Sequence, residues 1–143
     1  MIKTEEVLEH NLSFNSFDDK DSLFLIKAIR EGLDYSFFDN LLKSIPFSFV
    51  EWSHYLNLSE RTLQRYKKEK KPFLANFAER ILEINLLYKY GEEVFEDNGN
   101  FDSWLNTKSI ALGGVKPKDL LDTTFGINLV RDELTRIEHG VLA

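Results

Sequence analysis

The chain has 143 residues, 43% hydrophobic and 29% charged, with a formal net charge of −6 and no cysteine. That composition belongs to an ordered protein of one compact domain or two small interlocked ones, and the missing cysteines exclude disulfides, thiolate metal sites and cysteine nucleophiles. The amino terminus, MIKTEEVLEH, has acids where a signal peptide needs an apolar core, and no apolar run approaches the roughly 20 residues of a membrane span, so a cytoplasmic chain with no membrane partner is expected.

Residues 1–20 mix polar residues with isolated Phe14 and Phe17 and read as an amino-terminal arm, frayed or loosely helical. Asp21 or Ser22 can cap a helix through Arg30, with Leu23, Ile26 and Ile29 at helical spacing and Gly32 as its stop. Asp34 can cap the next, Tyr35 to Ser44, which buries Phe38, Leu41 and Leu42 before Pro46 breaks the chain. Phe37-Phe38 and Phe47 read as aromatic surface open to added interfaces.

Ser48 with Glu51 three residues later forms a capping box for a helix ending at Leu56. Asn57 accepts the left-handed conformation of a tight stop, Ser59 caps a second helix, and Leu58 is placed to staple onto Leu63. Two helices joined by Asn57-Leu58-Ser59 make a helix-turn-helix over residues 48–70, with Trp52, Leu56, Leu58, Leu63 and Tyr66 inside and small Ser53 at the crossing.

The second helix leaves Arg61, Thr62, Gln64, Arg65 and Lys68 exposed, with Arg61, Arg65 and Lys68 on one face. Arginine pairs with two acceptors of guanine, glutamine with two groups of adenine, and lysine neutralises phosphate. The candidate DNA-binding set is therefore Ser59, Arg61, Thr62, Gln64, Arg65, Lys67 and Lys68. An evenly spread charge of −6 would oppose a polyanion, but between Ser59 and Lys71 six bases face only Glu60 and Glu69. Taken alone, the run Lys67 to Lys71 is equally a solvated helix end whose cations suit the negative pole of the dipole.

Pro72 closes that helix. From Phe73 to Tyr90 the positions Leu74, Phe77, Ala78, Ile81, Ile84 and Tyr88 repeat at helical spacing, and Leu82, Leu86 and Leu87 make the segment apolar on further sides. Such a helix belongs at a centre or an interface, here as a spine or dimer surface. Gly91 is expected to interrupt it, Asn98-Gly99 to turn the chain, and Phe101 to Leu105 to form a short helix presenting Trp104 and Leu105.

The last third opens with the turn Leu112-Gly113-Gly114, and Pro117 begins a short helix, Lys118 to Leu121. Thr123 caps a longer helix whose Ile127, Val130, Leu134, Ile137 and Val141 draw one apolar stripe, and Gly140 is placed to end it in a left-handed conformation. Val141, Leu142 and Ala143 form a short apolar tail ending in a carboxylate.

LGG, then PKDLLDT, then RIEHG, spanning Leu112 to Val141, resembles the toxin-binding module of the Xre/MbcA/ParS family of antitoxins. The resemblance implies an all-α protein: a helical domain over 21–90 containing the helix-turn-helix, linked by the long helix to a small toxin-binding module over 91–143. It implies a type II antitoxin that neutralises a cognate toxin, of the NAD-consuming RES-domain kind, and binds operator double-stranded DNA as a homodimer within a toxin–antitoxin hetero-oligomer. The toxin-binding residues so implied are Leu112, Gly113, Gly114, Lys116, Arg131, Arg136, Glu138, His139, Gly140, Val141, Leu142 and Ala143, the carboxy end reaching toward the toxin's cleft. The alternatives are a dimeric helix-turn-helix regulator without a toxin, and a motif kept only as scaffold.

No enzyme, cofactor or metal site is expected. His10, His54 and His139 have no partner at ligand spacing, and Leu112-Gly113-Gly114 lacks the spacing and flanking strand of a phosphate loop. Its bland reading is a tight turn that lets the backbone pass close to another surface. Asp119 and Asp122, three apart, read as caps and solvated faces rather than a catalytic pair.

Overall fold

The computed structural model describes residues 18–140 together with Thr4 and Val7. Most of the expected arm over residues 1–20, including Phe14, Phe17 and His10, and the tail Val141, Leu142 and Ala143 lie outside the described residues. Between residues 18 and 140 the chain forms seven α-helices: α1 Asp19–Glu31, α2 Tyr35–Ser44, α3 Phe49–Tyr55, α4 Glu60–Glu69, α5 Ala75–Phe95, α6 Asn98–Leu105 and α7 Thr124–Glu138. A 3₁₀ turn, Pro117–Leu120, precedes α7, and among the described residues there are isolated bridges but no strand. The class is all-α. No helix among the described residues is long and apolar enough to cross a membrane. The chain divides into two units, Met1–Asn85 and Leu86–Ala143, at a boundary that falls inside α5.

In the first unit, side chains at the helix starts set the turns. The cap of α1 is Asp18, not Asp21 or Ser22: Asp18 Oδ1 accepts the Asp21 N–H at 2.9 Å, and Asp21 Oδ2 accepts the Asp18 N–H at 3.1 Å. This reciprocal box starts the helix sooner than the apolar pattern suggests. The expected inward stripe is also displaced, for Leu23 is 66% exposed and Ile26 faces out, while Ala28 is buried and Phe24, Leu25 and Ile29 are half-buried. Two apolar stripes overlap on this helix, and the one containing small Ala28 permits the closer approach. Gly32 ends α1 as expected, its N–H donating to the Ala28 carbonyl at 2.8 Å.

Leu33 and Phe73 exchange two backbone hydrogen bonds, 2.9 and 2.8 Å, tying the loop after α1 to the loop before α5. Phe73 is therefore not the start of the long helix, which begins at Ala75, and Leu74 points outward at 64% exposure instead of joining the inward stripe. Phe38 and Leu41 are buried as the helical pattern predicts, and the aromatic surface expected at Phe37-Phe38 and Phe47 is core instead, since Phe37 and Phe47 are buried with them. Phe38 lies 5.2 Å from Trp52 and 5.0 Å from Phe73 between ring centroids, Phe47 lies 6.0 Å from Trp52, and Tyr66 stacks on Phe73 at 5.0 Å. Edge and offset contacts of this kind suit the ring quadrupoles and leave little for an interface.

The second unit is organised by close backbone approaches. Gly91 does not interrupt α5, which runs on to Phe95, because a Cβ at Gly91 would stand 1.9 Å from the Phe101 ring. The glycine makes room for a buried aromatic rather than for a bend. Phe101 packs 5.0 Å from Tyr88 and 5.6 Å from Phe95. Asn98-Gly99 is not a free turn but the first turn of α6, since Asp97 Oδ1 accepts the N–H groups of Gly99 and Asn100. The chain reverses just before it, at Glu96, with φ of 58°.

The short helix expected over Lys118 to Leu121 is the 3₁₀ turn Pro117–Leu120 with proline at its start. Thr123 caps α7 as expected, accepting the Gly126 N–H at 2.9 Å. Gly126 must be glycine, because a Cβ there would lie 1.8 Å from the Leu120 carbonyl oxygen. Ile127, Val130 and Leu134 are buried and Ile137 half-buried, so the described part of the stripe faces inward.

Candidate nucleic-acid and partner interfaces

The local chemistry of the helix-turn-helix decides which side chains α4 presents. Both bonds of the Ser48–Glu51 box are made, 2.9 and 3.0 Å, so α3 starts where its sequence directs. Asn57 takes φ of 56°, and the Leu58 N–H returns to the Ser53 carbonyl at 3.0 Å, next to the buried Ser53 side chain. Ser59 Oγ accepts the Thr62 N–H at 3.0 Å and its hydroxyl donates to Thr62 Oγ1 at 2.8 Å. Leu63 and Tyr66 turn inward.

What remains outward on α4 is polar. At about 100° per residue, Arg61, Gln64, Arg65 and Lys68 fall within an arc of about 100° opposite the buried side, and all four are exposed. Lys67 stands on the flank, its ammonium 5.8 Å from the centroid of the Phe49 ring on α3. It also borders a cleft of about 270 Å³ with Asp34, Tyr35, Ser36, Asp39 and Lys70. Ser59 and Thr62 are engaged with each other at the cap. The seven candidate residues thus separate into four outward side chains, a capping pair and a flanking lysine.

In the second unit, the backbone bridge between Ser109 and Val115 closes the loop carrying Leu112, Gly113 and Gly114. Gly113 and Gly114 have φ of 81° and 82°, and a Cβ on either would meet no atom within 4 Å. They are needed for backbone conformation, not for a close approach within the chain. Both are exposed, while Leu112 and Lys116 are half-buried.

On α7, Arg136 Nε pairs with Glu133 Oε2 at 2.8 Å, and Glu133 is almost fully buried. The hydroxyl of Tyr90 reaches Thr135 Oγ1 at 3.0 Å and Glu138 Oε1 at 3.1 Å. His139 Nε2 lies 3.9 Å from Glu138 Oε1, and Arg131 lies beside Asp132. Gly140 has φ of 69° and donates to the Ile137 carbonyl, the left-handed stop read in the sequence. Glu138 thus accepts an internal bond from Tyr90, although it and His139 are both exposed. Burial, before all else, holds the Tyr88 hydroxyl well above the ordinary tyrosine range, followed by its hydrogen bond to Asp102 at 3.0 Å and the charges of Asp102 and Glu92.

Reading the sequence for its inward stripe misses several side chains on or against α7. Glu133 and Tyr90 act through α7's polar edge, and Phe125 and Leu129 stand on its outer side, exposed by 86% and 51%. The signal for the latter pair was present: four residues apart, they sit opposite Ile127, Val130 and Leu134 on the helix wheel.

Both parts match known domains. Residues 24–85 match the antitoxin Xre-like helix-turn-helix domain, and residues 91–140 match the antitoxin Xre/MbcA/ParS C-terminal toxin-binding domain. The chain is similar to the Prs ADP-ribosylating antitoxin of Sphingobium sp. strain YBL2, 34% identical over 127 residues that cover 82% of this chain and 80% of that protein. This chain belongs to the Xre/MbcA/ParS antitoxin family. Antitoxin Xre of Yersinia enterocolitica is 29% identical over 83% of this chain and 81% of its own length. That of Photorhabdus laumondii is 26% identical over 80% and 78% respectively. The family match makes the antitoxin's two parts a helix-turn-helix domain and a toxin-binding domain, with Arg136 and His139 inside the latter.

Proposed function

We propose that this antitoxin neutralises a RES-domain toxin that consumes NAD, and that as a homodimer it represses its own operon through α4. The observation that carries the reading is the coincidence, in one chain, of a toxin-binding domain match over residues 91–140 with a recognition-type helix whose outer face is wholly polar and mainly basic. A relative named for ADP-ribosylation supports a partner whose chemistry uses NAD, and the chemistry is read as the toxin's and not the antitoxin's.

Operator contact rests on Arg61, Gln64, Arg65 and Lys68, with Lys67 and Lys70 near phosphate. Cations along a helix that enters the major groove release counterions, so affinity falls as salt rises. Toxin contact rests on Arg136 and His139 at the end of α7, followed by the tail Val141, Leu142 and Ala143, which would enter the toxin's cleft. Arg136 keeps its orientation through Glu133, which presets it for a charge-assisted bond to the partner.

The test is co-expression with the product of the adjoining open reading frame, scored for growth and cellular NAD. A neighbour that kills alone, depletes NAD and is rescued by the full chain but not by one lacking Arg136–Ala143 supports the reading. A chain that purifies as a DNA-binding dimer with no effect on the neighbour contradicts it and favours a plain regulator.

A further inference from the structure

Among the described residues, eight large apolar side chains are left exposed, and four of them, Ile110, Val115, Phe125 and Leu129, fall in one short stretch of the second unit. Two of them share a helix face. Phe125 and Leu129 are four residues apart on α7, and the same face continues through Asp132 and Arg136 to the cap residue His139. At about 100° per residue these five positions occupy an arc of about 80°, opposite the buried Ile127, Val130 and Leu134. The helix therefore carries an outer stripe, apolar at its amino-terminal end and charged at its carboxy-terminal end.

An aromatic ring 86% exposed beside a half-exposed leucine is an interaction feature in a helix whose other side already fills a core. We propose that the cognate toxin docks along this whole outer stripe, with Phe125 as its apolar anchor and Leu129 beside it, so that the contact is not confined to the carboxy end. The occupant follows from continuity: all five positions lie within the toxin-binding domain match over residues 91–140, on the face that also carries Arg136 and His139, proposed above for that contact. Anchors spaced four and seven residues apart are how a helix lies in a groove. The complementary surface on the toxin is an apolar pocket for Phe125 and Leu129, with polar groups facing Asp132 and Arg136 at the other end. The inference rests on the toxin-binding reading above.

The test uses the full chain and the purified product of the adjoining open reading frame. Phe125→Asp should weaken binding by about 30-fold or more, the scale of losing an interface hot spot, while Leu23→Asp, which alters an exposed apolar residue of the other unit, should leave it unchanged. Because Phe125 touches little of its own core, the unfolding midpoint and operator binding should stay at wild-type values. Wild-type chain that binds while Phe125→Asp binds within about threefold of it overturns the stripe and leaves the toxin reading standing. A Phe125→Asp chain that turns from dimer to monomer with unchanged toxin affinity also overturns it, in favour of self-association. If the wild-type chain neither binds nor rescues, the toxin reading falls and the stripe with it.

Discussion

Helix α4 and helix α7 are built alike and present opposite chemistry. Each is capped by a hydroxyl residue, Ser59 or Thr123, and each turns an apolar face inward. The outer face of α4 carries Arg61, Gln64, Arg65 and Lys68 and no apolar side chain, while that of α7 carries Phe125 and Leu129 before its charges. A polyanion is attracted by charge and needs no desolvated anchor, whereas a protein groove rewards an aromatic ring. The difference teaches that a net charge of −6 says little about partners, because each helix's outer face carries its own chemistry.

The comparison breaks most severely if the end of α7 is removed. Deleting Arg136–Ala143 should weaken toxin binding by about 100-fold or more, the scale of removing several hot-spot residues, while operator affinity stays unchanged; pull-down and growth rescue read the first, fluorescence anisotropy the second. Next in size is Gly126→Val. With a Cβ 1.8 Å from a backbone oxygen, the 3₁₀ turn and α7 must separate. A loss of about 3 kcal/mol is expected from overpacking of this kind, seen as a lowered thermal midpoint and weakened toxin binding.

Replacing Arg61 and Arg65 together by alanine removes four cations from the dimer and should lower the salt slope of operator binding by about 4, roughly one per charge lost. Toxin affinity should not move. A smaller effect, about 1 kcal/mol of stability, is expected for Ser59→Ala, which leaves the Thr62 N–H without its cap; denaturant unfolding measures it.

Alkaline titration gives the mildest contrast. The Tyr88 hydroxyl is raised above its ordinary 10.0 by burial first, and Tyr90 likewise. Since the folded chain holds these protons more tightly than the unfolded one, their contribution is fully present below about pH 10 and is lost as pH climbs above it. Tyr88→Phe should flatten that decline in an unfolding series from pH 9 to 11.

Much of this was legible because it is local. The Ser48–Glu51 box, Asn57, Ser59, Asp34, Thr123 and Gly140 act within a few residues of themselves, and the structure places each in the role its type suggests. The failures involve distance. Gly91 looked like a break because the Phe101 ring that needs its missing Cβ lies ten positions on. Phe37 and Phe47 looked like surface, yet both are buried, Phe47 against Trp52. Leu23 and Ile26 lost to a rival stripe through Ala28, a choice that helical spacing alone leaves open. At the candidate sites, helix faces were readable but internal commitments were not: Glu138 is held by Tyr90 and Lys67 leans over Phe49.

The division of labour between α4 and α7 is tested most directly by measuring operator and toxin affinity on the same preparation between 50 and 200 mM salt. A dimer neutralising six or more phosphates should lose operator affinity by about 1,000-fold over that range, while toxin affinity, anchored by Phe125 and Leu129, should change by no more than about threefold. Operator binding that stays flat, or toxin binding that falls in parallel with it, would contradict the assignment of the two helices.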